Sequence, residues 1–186
     1  MNETKVKIIE ASLEAFSRYG LRRVSMSDVA EAAGISRQTL YAHYKNKDEL
    51  FLATMQAAYA KSLTDLRTAW DKATTLTEII DAYFEIAVYQ PFEIMREHPD
   101  LVDILSGANS KTTDMAKQVE LEKAGLVAER FTPYAQPLAA HGSSPIAIGE
   151  YLVRTSSQLK YSTDDLAELK RYLGTLKSAI LAMAGS

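Results

Sequence analysis

Residues Val24–His43, with the sequence VSMSDVAEAAGISRQTLYAH, decide the fold of this chain. Two short stretches with helical spacing flank Gly34, which stands where a chain makes a sharp turn. The positions predicted to face inward around this turn are Val29, Ala30, Ala33, Ile35 and Leu40. Because alanine is small, Ala30 and Ala33 allow two helices to cross closely. The segment therefore predicts a helix-turn-helix, whose second helix enters the DNA major groove. The alternative is any tight helical hairpin with a glycine corner.

Helical spacing continues on both sides of this motif and predicts an all-α chain of about nine helices. Helix starts are marked by Ser25 with Asp28, by Ser36, and by Asn46 with Glu49, which resemble N-caps and capping boxes. The predicted helices span residues 3–19, 26–33, 37–44, 47–71, 77–90, 92–107, 112–131, 145–159 and 163–183. Residues 132–144 contain two prolines and a glycine, and they are predicted as a linker or a short irregular helix.

The composition of the 186-residue chain excludes several classes of protein. Apolar residues make up 47% and charged residues 24%, as in folded globular chains. No apolar run approaches the roughly 18 residues of a spanning helix, so no membrane association is expected. Cysteine is absent, which excludes disulfides and thiolate metal sites. The three histidines lie far apart in sequence, so we expect no metal and no cofactor. The N-terminus has no signal-peptide pattern, and a cytoplasmic location is expected.

The charge distribution favours a local contact with nucleic acid. The chain carries a net charge of −3, but its charged residues are unevenly placed. Between residues 18 and 47 two acidic residues stand against six basic ones, Arg18, Arg22, Arg23, Arg37, Lys45 and Lys47. DNA binding requires such a basic region where the protein touches phosphate, and does not require a basic protein. A solvated charged face is the alternative.

The run from Lys7 to Leu50 resembles the N-terminal domain of TetR-family transcriptional regulators. The resemblance rests on AFSRYGL, DVAEAAGIS and TLYAHYKNKDEL within this run. It implies an all-α homodimer that binds a palindromic operator in double-stranded DNA and usually represses. It also implies a C-terminal domain that binds a small effector. Residues 1–50 are thus predicted as the helix-turn-helix DNA-binding domain, with its motif at 24–43. Residues 51–186 are predicted as the helical ligand-binding and dimerisation domain.

Arg37 and Gln38 are the residues predicted to read bases at the start of the recognition helix. Arginine can pair bidentately with guanine, and glutamine with adenine. Carried over from the family pattern, the predicted DNA-binding residues are Ser25, Ser27, Ser36, Arg37, Gln38, Thr39, Tyr41, His43, Tyr44 and Lys47. Lys47 and Tyr44 match phosphate-side positions in the resemblance. Packing within the small domain is the alternative for Tyr41 and Tyr44, and a plain surface position is the alternative for His43.

Aromatic and flexible apolar residues in the later helices predict a pocket for a drug-sized, mostly apolar effector. The predicted ligand-binding residues are Trp70, Tyr83, Tyr89, Phe92, Met95, Met115, Phe131, Tyr151 and Arg154. Further polar contacts are expected from His98, Gln118 and Gln158. The same aromatic side chains equally fill protein cores, so this assignment competes with simple core packing.

The last helix has an apolar stripe with heptad spacing, which predicts a dimer interface. Together with the preceding helix, the predicted interface residues are Leu152, Leu159, Leu166, Leu169, Leu173, Leu176 and Ile180. The alternative is a core helix within one chain, which a sequence stripe alone does not distinguish from an interface.

The leading prediction is therefore a ligand-responsive transcriptional regulator, with no catalytic residues. A DNA-binding regulator or architectural protein without an effector is the first alternative. A helical enzyme is the second alternative, although no nucleophile motif, phosphate loop or paired carboxylates with a nearby histidine stand out.

Overall fold

The computed structural model describes residues 3–97 and 110–186, and these residues form α-helices joined by short turns. The helices are α1 (Glu3–Tyr19), α2 (Met26–Ala32), α3 (Arg37–His43), α4 (Lys47–Trp70), α5 (Leu76–Phe84), α6 (Gln90–Glu97), α7 (Ser110–Phe131), α8 (Ala135–Ala140), α9 (Pro145–Ser162) and α10 (Leu166–Ala184). No strand occurs in this described part of the chain. The predicted all-α class is confirmed.

Two compact units make up the chain. The first contains residues 3–61, and residues 94–97 and 110–113 group with it. The second contains Ser62–Glu93 and Asp114–Ser186. The division falls at residue 61 within α4, eleven residues beyond the boundary predicted at residue 50. The function assigned to each unit stays a prediction.

The first unit has a small core that fixes the three N-terminal helices. The rings of Phe16 on α1 and Phe51 on α4 meet edge to face, with their centroids 5.8 Å apart. Around them pack the buried residues Ile8, Ile9, Leu21, Val24, Met26, Val29, Ala30, Leu40, Tyr44 and Leu50. Burial of these apolar side chains supplies the main stabilisation, because seven-residue helices such as α2 and α3 are not stable alone.

The predicted helix starts are confirmed by their hydrogen bonds. Ser25 and Asp28 form a reciprocal capping box at α2. The Ser36 hydroxyl accepts the backbone N–H of Thr39 at 3.0 Å. The Asn46 side chain accepts the Glu49 N–H at 2.9 Å, but Glu49 in return accepts the N–H of Lys45 and not that of Asn46. Polar side chains thus satisfy helix-end donors that would otherwise have no partner.

The second unit is built around one apolar core from α5, α7, α8, α9 and α10, with the end of α4. Its fully buried side chains include Leu66, Phe84, Phe131, Leu138, Leu152, Leu169 and Leu173. Gly149 on α9 lies against α7, where an added Cβ would stand 2.4 Å from the carbonyl oxygen of Ala124. These two helices can therefore approach this closely only because residue 149 has no side chain.

Three predicted segments can be compared in detail with the structure. The helix predicted at 77–90 is α5 followed by a π-helical turn at Glu85–Tyr89, and the chain continues directly into α6. The helix predicted at 92–107 is described only as far as Glu97, and its remainder, with His98, lies outside the described residues. Of the two alternatives predicted for residues 132–144, the structure has the short irregular helix and not the linker, with a 3-10 turn at Thr132–Tyr134 followed by α8.

None of the helices in residues 3–97 and 110–186 combines the length and the apolar character needed to cross a membrane.

Candidate nucleic-acid interface and effector site

The corner between α2 and α3 has the geometry predicted for a helix-turn-helix. Gly34 has φ +65°, a left-handed conformation that residues with a side chain rarely adopt. Its N–H donates to the Glu31 carbonyl, and the next N–H, from Ile35, donates to the Ala30 carbonyl, both at 3.0 Å. Leu40 on α3 is fully buried against this joint. The first residues of α3 are therefore held in a defined orientation by the turn and the core.

The start of α3 presents polar side chains to solvent. Arg37 and Gln38 are both exposed, and the Tyr41 ring, one turn later, is 51% exposed. Because Leu40 is buried on the same short helix, these three residues occupy its outward side. A guanidinium, an amide and an aromatic ring in this arrangement can hydrogen-bond to base edges and contact thymine methyls.

The serine and threonine hydroxyls near this surface serve the helix ends. Ser36 and Thr39 hydroxyls lie 2.9 Å apart, and Ser36 also caps α3. Ser25 caps α2, while Asp28 accepts the Ser25 N–H at 2.8 Å, which lowers the pKa of the Asp28 carboxyl. Ser27 is half-buried. The Ser25 and Ser36 hydroxyls thus stabilise the N-terminal ends of α2 and α3, and a contact with DNA would be an additional role.

The side chain of Lys47 is held by hydrogen bonds within the first unit. Its ammonium donates to the carbonyl oxygens of Leu21 at 2.9 Å and Val24 at 3.1 Å, and its side chain is half-buried. These carbonyls belong to the turn between α1 and α2, so Lys47 holds that turn against the start of α4. These hydrogen bonds give Lys47 a structural role, and the predicted contact of its side chain with DNA phosphate stays a prediction.

Only 8% of Tyr44 is exposed, and it belongs to the core of the first unit. This burial favours packing within the small domain, the alternative that the sequence left open, and the predicted phosphate-side contact stays a prediction. Burial raises the pKa of the Tyr44 hydroxyl. His43 is half-buried, with its ring beside that of Tyr44. Lys45, which was counted among the basic residues but not among the DNA-binding ones, is exposed next to α3.

A small cavity of about 20 Å³ lies within the second unit. It is lined by Tyr83, Ala87, Val88, Glu120, Lys123, Val153, Ser156, Ser157 and Lys160. Two lysines and one glutamate thus share a space that is large enough for about one water molecule. The sequence does carry a signal for burial of these polar residues, which the sequence analysis did not include. Lys123 stands four residues before buried Val127, and Ser156 stands four residues after buried Leu152, so both lie on apolar helix faces.

Hydrogen bonds and burial set the chemistry of this cavity. The Tyr83 and Ser156 hydroxyls are 3.1 Å apart, and Ser156 in turn donates to the Val153 carbonyl. The Ser157 hydroxyl donates to Glu120 Oε1 at 2.6 Å. Removal of water lowers the pKa of Lys123 to about 8 and that of Lys160 to about 7, with the Lys123 charge adding to the shift of Lys160. Burial raises the pKa of Tyr83.

Eight of the nine predicted ligand-binding residues do not line this cavity, and Tyr83 is the exception. Trp70 is a core residue whose indole N–H donates to the Ile79 carbonyl at 2.9 Å. Phe92, Met95 and Phe131 are buried, whereas Tyr89 and Met115 are half-buried. Tyr151 and Arg154 are exposed on α9. The surroundings of the buried aromatic residues match core packing, which the sequence left open as the alternative to a ligand pocket.

Comparisons with known proteins identify the first unit. Residues 8–54 match the family model for bacterial regulatory proteins of the tetR family. The HTH-type transcriptional regulator TtgR of Pseudomonas putida is 40% identical over 57 residues, which are 31% of this chain and 27% of TtgR. The HTH-type transcriptional activator FasR of Mycolicibacterium smegmatis is 26% identical over 150 residues, covering 75% of this chain and 68% of FasR. Residues 8–54 are therefore similar to the N-terminal domain of the TetR family.

The fold of the chain is shared with solved structures. A TetR-family transcriptional regulator from Pectobacterium atrosepticum superposes with a TM-score of 0.71 at 19% identity, covering 98% of this chain and 95% of that one. At this identity the likeness establishes the fold alone. The relatives matched by the first unit are named as transcriptional regulators. The match to TtgR spans about a quarter of that protein's length.

The residues predicted for the dimer interface lie largely inside the protomer. Leu152, Leu169, Leu173, Leu176 and Ile180 are all buried in the core of the second unit, while Leu159 and Leu166 are half-buried. Packing of α10 against α5, α8 and α9 of its own chain favours core packing for the heptad stripe, the alternative that the sequence left open. The role of these residues in a dimer interface stays a prediction.

Proposed function

We propose that this chain is a ligand-responsive transcriptional repressor of the TetR family that binds a palindromic operator as a homodimer in the cytoplasm. The observation that carries this proposal is the exposure of Arg37 and Gln38 on a short helix whose orientation is fixed by Ser36 and Leu40. Base readout depends on side chains held at a defined angle to the groove. Repression is the mode that the resemblance implies, although the relative FasR is named an activator.

In this function Arg37 pairs with a guanine and Gln38 with an adenine. Tyr41 contacts a thymine methyl or the sugar-phosphate backbone. Positive charge from Arg22, Arg23 and Lys45, all exposed, supports the phosphate contacts. Such contacts position the protein, whereas the α3 side chains specify sequence. Lys47 contributes indirectly, because it holds the turn that leads into α2.

The homodimer is proposed to use the exposed sides of α9 and α10 in place of the buried stripe. Large apolar side chains remain exposed there, namely Ile146, Tyr151, Tyr161 and Tyr172, and Tyr151 is 58% exposed. Small exposed residues follow Tyr172 on α10, at Gly174, Ser178, Ala179 and Ala182. Exposed apolar surface of this kind is typical of a protein interface. With two recognition helices per dimer, operator half-sites would be about one helical turn apart.

A regulator without an effector is the second candidate function. The observation in its favour is the packed core at the predicted pocket, where Trp70, Phe92 and Phe131 are buried. Drug-sized ligands occupy roughly 300–1,000 Å³, far more than the cavity of about 20 Å³. A mostly apolar, drug-sized effector would therefore require the second unit to open, and a smaller effector would not.

The experiment that tests the proposed function is selection of bound sequences from random DNA duplexes. An enriched inverted repeat would support operator binding by a dimer. Candidate effectors are then added to the selected duplex, and the dissociation constant is measured by fluorescence anisotropy. No enriched motif would contradict DNA readout by α3. An enriched single half-site, with a monomer in sedimentation, would contradict the dimer.

A further inference from the structure

Two amines and one carboxylate share the cavity of the second unit, and nothing in the proposed DNA contact uses them. The cavity is lined by Lys123 and Glu120 on α7 and by Lys160 on α9. One carboxylate balances the charge of one ammonium, so a second ammonium in the same space would add an uncompensated buried charge, which is costly. The arrangement therefore favours one charged and one neutral lysine.

Lys160 is the lysine that this arrangement favours in its neutral form. Removal of water, together with the neighbouring Lys123 charge, lowers the pKa of Lys160 to about 7, while the pKa of Lys123 is lowered only to about 8. The cavity lining adds two further titratable groups, Glu120 and, from α5, Tyr83, whose pKa is raised by burial. Roughly half of Lys160 is therefore a neutral amine at pH 7. A lysine that is desolvated beside another cation is activated as a nucleophile.

Lys160 lies at the edge of the cavity, where a small reactant can reach it from solvent. The residue is half-buried, as is the neighbouring Ser157, whereas Lys123 is only 8% exposed. The Lys160 ammonium lies 5.0 Å from the centroid of the Tyr161 ring, which is itself partly exposed. The cavity volume of about 20 Å³ limits an occupant to about the size of one water molecule. The apolar part of the cavity wall consists of Ala87, Val88 and Val153.

A one-carbon aldehyde is the reactant whose product fits this space. The Lys160 nitrogen attacks the carbonyl carbon of formaldehyde, so that a C–N bond forms and the carbonyl π bond breaks, which gives a carbinolamine. Loss of water then leaves an imine, and both amine protons depart on the aldehyde oxygen. The amine and formaldehyde thus become the imine and one water molecule, without an oxidant or a reductant. The imine adds one carbon atom to the side chain, a group about as large as one water molecule.

We propose that Lys160 is a reversible aldehyde-binding site, specific for formaldehyde, whose added methylene group fills the cavity beside Lys123 and Glu120. A methylene group in this space excludes the water molecule that would hydrolyse the imine, which prolongs the lifetime of the adduct. A longer aldehyde would press further carbon atoms against the apolar wall, where the cavity has no room for them. The regulatory consequence rests on the proposed function, because the imine acts as an effector only if it changes the affinity for operator DNA.

Reductive labelling of the full chain tests the site. One equivalent of isotope-labelled formaldehyde is added at pH 7 with cyanoborohydride, which reduces each imine to N-methyl-lysine, and peptide mass spectrometry locates the label. Lys160 is expected to carry at least about tenfold more label than exposed Lys72, because an ordinary lysine is almost wholly protonated at pH 7. Equal labelling of these two lysines, or selective labelling of Lys123 in place of Lys160, would overturn the inference. Butanal is expected to show no preference for Lys160, and a preference equal to that of formaldehyde would overturn the size limit.

The pH profile of labelling gives a readout that a purely structural lysine would not move. Labelling of Lys160 should level off above about pH 8, whereas labelling of an ordinary lysine still rises at about pH 10. Lys123→Met removes the neighbouring positive charge and should shift the Lys160 profile to higher pH. Lys117→Met, at an exposed position of α7, is the matched control and should leave the profile unchanged. A Lys160 profile that coincides with that of Lys72 would contradict the activation of Lys160.

The operator affinity separates this inference from the proposed DNA binding. The dissociation constant for the selected duplex is measured by fluorescence anisotropy before and after formaldehyde treatment, for the wild type and for Lys160→Met. Treatment is expected to change the wild-type affinity about fivefold or more and to leave that of Lys160→Met unchanged. An equal change in both proteins, or no change in the wild type, would overturn the effector role. Operator binding without selective labelling would overturn the aldehyde site and leave the DNA-binding function intact, and selective labelling without operator binding would do the reverse.

Discussion

Lys47→Met distinguishes a structural lysine from a phosphate-binding one. The substitution removes the ammonium that donates to the Leu21 and Val24 carbonyls at 2.9 and 3.1 Å, while helix propensity at the start of α4 is nearly unchanged. A hydrogen bond from a charged group contributes about 1.5–3 kcal/mol. Because the side chain is half-buried and water replaces part of the loss, we expect the two bonds together to contribute about 2 kcal/mol.

The stability of the first unit is followed by far-UV circular dichroism during denaturation and by amide exchange in α1 and α2. Trp70 fluorescence is unsuitable, since Trp70 belongs to the core of the second unit. Lys45→Met is the matched control, because Lys45 is exposed and its substitution should change stability by less than about 0.5 kcal/mol. Unchanged stability in Lys47→Met, with a salt dependence of DNA binding that is shallower by about one unit, would refute the structural role and restore the phosphate contact.

Three further predictions concern the second unit. Leu173→Ala should lower the free energy of unfolding by about 2–5 kcal/mol, because Leu173 is fully buried within the protomer. Leu121→Ala, at an exposed site on α7, is the matched control and should not lower it. Equal unfolding midpoints for the two variants would contradict the core assignment. Gly149→Ala should destabilise the fold, because the new Cβ would stand 2.4 Å from the Ala124 carbonyl oxygen. Gly125→Ala, with no atom within 4 Å of its Cβ, should stabilise the fold by up to about 1 kcal/mol. Thermal unfolding measures whether the midpoint falls for the first variant and rises for the second. The lowered pKa values of Lys123 and Lys160, about 8 and 7, mean that the unfolded chain binds more protons than the folded one between about pH 7 and 10. Stability relative to the Lys123→Met, Lys160→Met double variant should therefore rise with pH across that window in denaturant titrations, and a flat difference would contradict the burial of these charges.

Local signals in the sequence were sufficient for the N-terminal helices. Capping by Ser25 and Ser36 depends on residues three positions away, and the left-handed turn at Gly34 depends on one residue. Such interactions are encoded within a few residues of the chain. The prediction of the all-α class and of most helix ends succeeded for this reason.

Contacts between distant residues were not encoded in the same way. Lys47 reaches the turn after α1 across more than twenty residues, and a positive charge beside a DNA-binding motif equally fits phosphate. The stripe containing Leu173 has the same spacing whether it packs against a partner or against α5 and α9. Aromatic residues such as Phe131 likewise suit a pocket or a core. Only the tertiary packing distinguishes these cases.

Base readout by Arg37 and Gln38 is the central claim, and selection from random duplexes tests it most directly. The wild-type chain, Arg37→Ala and Gln38→Ala are each selected under the same salt conditions. We expect the wild type to enrich an inverted repeat and each variant to lose base preference at one position per half-site, at a cost of about 1–3 kcal/mol. An identical motif selected by all three proteins would contradict the assignment of α3 as the recognition helix.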